Sequence, residues 1–271
     1  MMAIHVLIPC SKTKSVEPVQ ELIWKEGVSI KNWVSSWKNI NYDLVEPEEL
    51  YTGRATKNQL QLIQDHNDTF SYIISAGAGL ISIKEGKRLP SYEATFGKQG
   101  PSEDDWFRLP FGGLSNIQIN EDDLIVAFAP PRYLKAISKD PWIDHLWKNI
   151  VASESSCLGS NCGYPVKIHP RIKDVLGVGA ADLNTELIKI FLESGISQIE
   201  RFSEMAEKLP HPPKRRKVSN EELLEIVEEH HEGKTSVQLI RYIRDILNIS
   251  ASVERISKSR KTVLENKDEN I

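Results

Sequence analysis

The chain has 271 residues, a formal net charge of −4, 40% hydrophobic residues and 27% charged residues. These values are ordinary for a globular protein and exclude a polycation, so any surface that binds nucleic acid must be local. Three cysteines without framework spacing argue against a disulfide scaffold and favour a reducing compartment, so we expect a cytoplasmic protein. No apolar run reaches the roughly 18 residues of a membrane span, so we expect no membrane partner.

The spacing of the potential metal ligands is unfavourable. Cys157 and Cys162 lie five positions apart with His169 beyond them, whereas a zinc site needs closer pairs and a fourth ligand. We therefore expect neither a metal ion nor another cofactor.

The first predicted strand ends in a polar, basic loop. Residues 4–8 (IHVLI) are typical of a buried parallel strand, and Pro9 ends its hydrogen-bonding ladder. In open α/β sheets such strand ends face the ligand crevice. The alternative is a solvated loop whose lysines only aid solubility. The groups suited to bind an anion or a polar heterocycle belong to Cys10, Ser11, Lys12 and Lys14.

Further strands and helices alternate along the chain. Residues 70–75 (FSYIIS), 123–129 (DLIVAFA) and 150–153 predict strands, and helices are expected over 55–65 and from Leu134 onward. The alternation predicts an α/β fold, with a mixed or parallel sheet flanked by helices.

The small residues 76–80 (AGAGL) do not form a dinucleotide fingerprint. That motif needs three spaced glycines that open a helix, and this segment has two glycines without a clear helix after them. Ser75 and Gly77 are candidates to bind a ligand, because small residues let the backbone approach a ligand or another strand closely.

Two tyrosines and an arginine are candidates to bind a planar or anionic ligand. Tyr51 comes before a predicted turn at Thr52 and Gly53, and Tyr92 stands beside the carboxylate of Glu93. Arg132, at a predicted helix start, would strengthen an anion site. Residues 97–113 form a long loop rich in glycine and aromatic residues, and loops of this length are often functional.

A glycine-containing turn follows a helical segment. Residues 176–179 (LGVG) resemble the hairpin of helix-hairpin-helix DNA-binding elements, in which glycine amides contact a phosphate. We expect such contacts from Gly177 and Gly179, although a plain glycine-rich helix N-cap would look similar.

The sharpest boundary in the chain is a proline-rich, basic segment. We predict an α/β domain over residues 1–205, a linker over 206–218 and a helical module over 219–271. Prolines stiffen the linker, and its cations either contact DNA phosphates or only aid solubility. These cations are Lys214, Arg215, Arg216 and Lys217.

The module is predicted to contain three short helices. Ser219 and Glu222 form a capping box at the first, and the others span 237–247 and 252–264. Three helices joined by short turns, the last of them basic, fit a helix-turn-helix-like DNA-binding module, and the alternative is a protein-interaction bundle. The candidate DNA contacts on the third helix are Arg255, Lys258, Arg260 and Lys261.

Several motifs together resemble a known family. Residues 9–14 (PCSKTK), 50–53 (LYTG), 73–80 (IISAGAGL) and 92–95 (YEAT) occur in this order, and they resemble the family of bacterial and phage proteins related to the peroxide-stress protein YaaA. The first motif is also similar to the Pro-Cys-Ser motif in the glycosylase-like domain of archaeosine synthase. The resemblance covers roughly residues 4–190 and implies an α/β fold that binds DNA. Some relatives have functions near base modification or base removal.

These observations lead to the hypothesis of a DNA glycosylase that removes a damaged or modified base from duplex DNA. A nucleotide would be flipped into the α/β crevice; Tyr51 or Tyr92 would stack on the base, and Ser11, Lys12 and Ser75 would bind its edge or a phosphate. Glu93 or Asp182 would orient water or stabilise positive charge on the sugar, or Lys12 or Lys14 would form a Schiff base.

The residues leave two other functional classes open. One is a non-catalytic DNA-binding sensor or regulator of a stress response, in which the α/β domain recognises a small ligand. The other is an enzyme that transfers bases of free nucleosides or nucleotides. The family context suggests defence against phages with modified DNA.

Overall fold

The computed structural model describes residues 2–38, 43–158, 162–210 and 214–268. The chain divides into two compact units, Met1–Leu209 and Pro210–Ile271. The first is an α/β domain and the second is a helical unit, so the predicted fold class is confirmed. Among the described residues no helix is both long and apolar enough to cross a membrane.

The first unit is built on one six-stranded sheet. Its strands are β1 (Ile4–Pro9), β2 (Thr69–Ser75), β3 (Gly79–Ser82), β4 (Leu124–Val126), β5 (Ile150–Ser153) and β6 (Tyr164–Val166). In the sheet they are ordered β3-β2-β1-β4-β5-β6, and only β3 runs antiparallel to its neighbour. Strands β1 and β2 are buried along almost their whole length, which explains why their sequences are nearly continuous apolar runs.

The described residues of this unit form eight α-helices. The bounds are α1 (Ile30–Lys38), α2 (Pro47–Leu50), α3 (Arg54–Gln64), α4 (Pro131–Ser138), α5 (Ile143–Leu146), α6 (Ile172–Leu176), α7 (Leu183–Ser194) and α8 (Ile196–Glu207). Helix α3 packs on β1, β2 and α7. The sequence predicts α3 to within a residue at each end and places the start of α4 three residues too late.

The loop over residues 97–113 packs against β3 and the end of β2, and its expected functional role stays a prediction. It contains a short 3₁₀ turn, Glu103–Arg108, in which Trp106 is fully buried. The indole of Trp106 donates a hydrogen bond to the Ser75 carbonyl at 3.0 Å, and the indole of Trp33 donates to the Gly77 carbonyl at 2.7 Å. Trp106 of this loop and Trp33 of α1 thus both fix the backbone at the end of β2.

The linker is shorter than the predicted range 206–218. Ala206 is fully buried in α8, and Val218 is buried in the core of the second unit. Both ends of the predicted range therefore belong to the adjoining units, because their apolar side chains are needed in the two cores. Residues 211–213, which include two of the linker prolines, lie outside the described residues.

In the second unit the described residues form three α-helices and a short strand pair. They are α9 (Asn220–His230), α10 (Ser236–Arg241), α11 (Val253–Asp268), β7 (Arg216–Lys217) and β8 (Ile249–Ser250). Helix α10 continues as a π-helical stretch over Tyr242–Ile246. Ser219 caps α9 through the Glu222 amide, but the Glu222 carboxylate binds Arg216. The full capping box stands instead at α10, between Thr235 and Gln238.

A buried carboxylate fixes the amino-terminal edge of the sheet. Asp123 is buried and accepts hydrogen bonds from the amides of Ala3 at 2.8 Å and Asn120 at 2.7 Å. Burial by itself would raise the pKa of Asp123, but these hydrogen bonds outweigh it and hold the pKa below its usual value. The stabilisation is therefore present at neutral pH and is lost as the pH falls through the folded-state pKa.

Replacing this carboxylate should destabilise the fold. We expect Asp123→Ala to lower the free energy of unfolding at pH 7 by about 3 kcal/mol, because the amides of Ala3 and Asn120 lose a charged acceptor. Urea unfolding measures this difference in free energy between the wild type and the variant, and the difference should become smaller as the pH falls. The neighbouring Asp122 is exposed, and Asp122→Ala should change stability by less than about 0.5 kcal/mol. Equal effects of the two variants would contradict the assignment.

Candidate functional site

The candidate site lies at the carboxyl ends of the central strands. From β1 the chain goes to β2 on one side and later enters β4 on the other side. Such a reversal leaves a crevice at the carboxyl ends of the two strands. Cys10 directly follows β1, and its Sγ lies 3.5 Å from the Oη of Tyr133 on α4. This contact therefore connects the two sides of the crevice.

The loop after β1 is shaped by its own hydroxyl group. Ser11 Oγ donates to the Thr13 carbonyl at 2.5 Å and accepts from the Gly53 amide at 3.1 Å. A Cβ at Gly53 would lie only 2.5 Å from the Ser11 Cβ, so a side chain there would displace the loop. Ser11 thus holds the loop in shape, and its hydroxyl is already satisfied without a ligand.

A buried chain of hydroxyls lies behind this loop. Tyr51 and Tyr92 share a hydrogen bond of 2.5 Å between their Oη atoms, and Tyr92 also bonds to Ser75 Oγ. Ser75 Oγ accepts in turn from the amides of Gly77 and Ala78. Burial raises the pKa of both tyrosines well above the usual value, so both hydroxyls stay protonated.

Because the residues of this hydroxyl chain are buried, four of the predicted ligand contacts are wrong. Tyr51 and Ser75 are fully buried and Tyr92 is 1% exposed, so neither tyrosine can stack its ring face on a flipped base, and the Ser75 hydroxyl is already bonded. Gly77 is needed because a Cβ there would lie 2.6 Å from the Tyr92 ring. Its small size serves internal packing.

A cavity of about 230 Å³ opens beside the Tyr92 ring. Lys14 is half-buried there, with its Nζ 4.5 Å from the centroid of that ring. Burial lowers the pKa of Lys14, although Cys10 and Glu93 oppose the shift. Lys12 also lines the cavity but is exposed. The environment therefore favours Lys14 over Lys12, which the sequence left open as alternatives for a Schiff base.

The two predicted acids have different surroundings. Glu93 lines the same cavity as Lys14, and its backbone is fixed by hydrogen bonds to Leu22 at 2.8 Å and Trp24 at 2.9 Å. Asp182 is bound by two hydrogen bonds from the Arg54 guanidinium, at 2.8 and 3.0 Å. Because this pair occupies its carboxylate, Asp182 is a poor catalytic acid, and Glu93 is the remaining candidate.

Arg132 does not offer its guanidinium to an anion. Its Nε donates to Glu103 Oε1 at 3.0 Å and its Nη1 donates to the Phe96 carbonyl at 2.7 Å. It therefore holds the loop over residues 97–113 against α4, which corrects the predicted anion site.

In the predicted hairpin, one glycine amide already donates a hydrogen bond within the protein. Gly177 ends α6 in the left-handed conformation, φ 67°, and its amide donates to the Lys173 carbonyl. The Val178 amide donates to the same carbonyl at 3.1 Å. This arrangement is a helix C-cap, so the Gly177 amide is not available to a phosphate. The Gly179 carbonyl accepts from the Asp182 amide at 3.0 Å, and its predicted phosphate contact stays a prediction.

Several predicted DNA contacts of the second unit hold that unit together. Arg255 donates to Asn220 Oδ1 at 3.0 Å and to the carbonyls of Val218 and Ser219. Arg260 donates to Ser236 Oγ at 2.5 Å and to the Lys234 carbonyl at 2.8 Å.

The remaining predicted cations of this unit divide into two groups. Arg215 pairs with Asp245, Arg216 with Glu222, and Lys261 with Glu265. Lys214, Lys217 and Lys258 are exposed and form no ion pair with any residue that the structure describes.

Sequence reasoning missed Tyr133. The residue lies in the first turn of α4, and burial beside Cys10 raises the pKa of its hydroxyl above the usual value. The run Pro130-Pro131-Arg132-Tyr133 directly after a central strand was the available signal, because residues there face the crevice.

No protein-family model matches the chain, and neither the curated proteins nor the solved structures include a significant match. The resemblance to the YaaA-related family therefore stays a prediction. In the described part of the chain no three His, Cys, Asp or Glu side chains are grouped so that they could hold a metal ion.

The environment of Lys14 predicts unusual amine reactivity. Because its pKa is lowered, the midpoint of the pH profile for its acylation should lie below that of Lys14 in the urea-unfolded chain. Peptide mass mapping after brief treatment with acetic anhydride at a series of pH values measures both midpoints. Coincident midpoints would contradict the inferred burial.

Proposed function

We propose that the chain is a DNA-acting enzyme, most simply a glycosylase that removes a damaged or modified base. The observation that carries the proposal is the cavity at the end of β1, which brings together the half-buried amine of Lys14 and the carboxylate of Glu93. The cavity is lined by the loop after β1 and by residues 91–93, and loops at the carboxyl ends of strands commonly hold the ligand in sheets of this kind.

The size of the cavity supports a single heterocycle as its ligand. At about 230 Å³ it is smaller than the roughly 300–1,000 Å³ pockets that hold drug-sized ligands. A flipped base, with its sugar at the mouth of the cavity, is a chemically suitable ligand. Departure of a base leaves positive charge on the sugar, which the carboxylate of Glu93 would stabilise.

The second unit would hold the DNA backbone. Lys214, Lys217 and Lys258 are the predicted contacts left exposed and without ion pairs among the described residues. Such lysines suit phosphate contacts that carry no sequence information.

All three cysteines are free thiols, which is usual in a reducing compartment, and we propose a cytoplasmic location.

A non-catalytic sensor is the second candidate. The hydroxyls of Ser11, Ser75, Tyr51 and Tyr92 satisfy one another or nearby backbone groups, so few polar groups remain for chemistry. This arrangement would suit a rigid pocket for a small ligand. Binding of DNA without release of any base would favour this function over the glycosylase.

Base release is the direct test of the enzyme. Purified protein is incubated with duplexes that carry unmodified, oxidised or phage-type hypermodified bases, and free base and alkali-labile breaks are measured. We expect one modified duplex to react, and Glu93→Gln to slow the reaction about 100-fold because the sugar cation loses its counter-charge. Glu26 is exposed and does not line the cavity, so Glu26→Gln should leave the rate unchanged. Equal loss in both variants would contradict the role of Glu93.

The two kinds of cation in the second unit should behave differently on DNA. We expect Lys258→Ala to weaken binding and to reduce the slope of log K against log salt by about 1, because one phosphate contact is lost. Arg255→Ala should instead lower the unfolding midpoint, because Arg255 holds Asn220 and the carbonyls before α9. Fluorescence anisotropy and urea unfolding separate the effects. An unchanged slope for Lys258→Ala would contradict its phosphate contact.

A further inference from the structure

We infer that Lys14 is the nucleophile of the site and attacks C1′ of the target sugar to form an imine. This inference rests on the proposed function and goes beyond it, because a glycosylase can equally use water. It assigns the covalent role to one of two lysines that lie two positions apart.

The backbone of Lys14 is fixed from both sides. The Thr52 amide donates to the Thr13 carbonyl at 3.1 Å, and the Ser15 amide donates to the Leu50 carbonyl at 2.9 Å. These bonds form a short antiparallel bridge that pairs Lys14 with Tyr51, which belongs to the buried hydroxyl chain. The base of the Lys14 side chain is therefore anchored to the core, as a positioned nucleophile requires.

The Lys14 ammonium lacks the usual neutralising partner. No carboxylate among the described residues lies within 4.0 Å of its Nζ, and its closest ring contact is Tyr92 at 4.5 Å. The ring face attracts an ammonium group, but burial favours the neutral amine, and only the neutral amine can attack. Glu93 lines the same cavity, where a carboxylate can carry the proton that the amine releases.

Lys12 lacks these features. It is exposed, whereas Lys14 is half-buried, and no ring contact holds it over Tyr51 or Tyr92. Lys12 is better suited to a phosphate at the mouth of the cavity.

The step balances without an oxidant or a reductant. The lone pair of Nζ forms a bond to C1′ while the C1′–N bond to the base breaks, and the base leaves with the electron pair and takes a proton. Opening of the C1′–O4′ bond then gives the imine between Nζ and C1′. The two protons of the amine end on the base and on O4′. Water hydrolyses the imine, which restores Lys14 and leaves an abasic sugar.

The test traps the imine by reduction. The full chain is mixed with a duplex that carries one preformed abasic site, and with any duplex from which it releases base, in the presence of sodium borohydride. Reduction turns the imine into a stable secondary amine, seen as a protein–DNA adduct on a denaturing gel. We expect an adduct whose peptide maps to Lys14, and a loss of at least tenfold in Lys14→Ala and Lys14→Arg. The arginine variant keeps a cation over the Tyr92 ring but cannot form the imine.

The controls separate chemistry from folding and from charge. Lys25 is exposed and does not line the cavity, so Lys25→Ala should give the wild-type amount of adduct. Urea unfolding of each variant identifies any that fail to fold, and Lys14→Arg is the decisive variant if Lys14→Ala proves unstable.

The outcomes distinguish this inference from the proposed function. Base release at the wild-type rate by Lys14→Arg, or an adduct that maps to another lysine, overturns the role of Lys14 and leaves the glycosylase with water as the nucleophile. Absence of released base on every duplex, together with no adduct on the abasic duplex, overturns both. An adduct at Lys14 accompanied by base release supports both.

Discussion

The buried hydroxyl chain of Tyr51, Tyr92 and Ser75 is the interaction on which the site depends. Three hydroxyls without solvent must satisfy one another, and they do so through the Tyr51–Tyr92 and Tyr92–Ser75 hydrogen bonds and the amides after β2. This hydroxyl chain joins three separate segments of the sequence. Because Tyr51 also pairs with Lys14, it fixes the position of the loop after β1. Close packing then requires Gly77 beneath the Tyr92 ring and Gly53 beside Ser11.

The fold could be predicted from the sequence where local pattern and burial agree. Strand β2 and helix α3 follow from an apolar run and an amphipathic repeat, and β5 was placed correctly. Strand β4 is shorter at both ends than its apolar run, and at its start Asp123 accepts hydrogen bonds from Ala3 and Asn120. Strands β3 and β6 have four and three residues. These are too few to show a clear hydrophobic periodicity, so the sequence did not predict them.

The neighbourhood of the site could be predicted, but the roles of its residues could not. The residues after β1, Tyr51 and Tyr92 do lie close together, as the hypothesis of a shared base-binding site required. Whether an aromatic ring faces a ligand or the core depends on tertiary contacts that no local pattern carries. The same holds for arginine. The sequence predicts Arg255 as a DNA contact, but its guanidinium donates to Asn220 and to two backbone carbonyls. These acceptors are uncharged, so counting charges in the sequence does not reveal them.

The pair Lys12 and Lys14 shows how environment separates chemically identical side chains. Both follow β1 and both line the cavity, so composition and spacing treat them alike. Only Lys14 lies in the bridge to Tyr51 and over the Tyr92 ring, where burial lowers the pKa of its amine. The buried hydroxyl chain thus has a second consequence beyond stability. By consuming its own polar groups it leaves an apolar ring face beside the lysine, and burial there lowers the pKa of the amine.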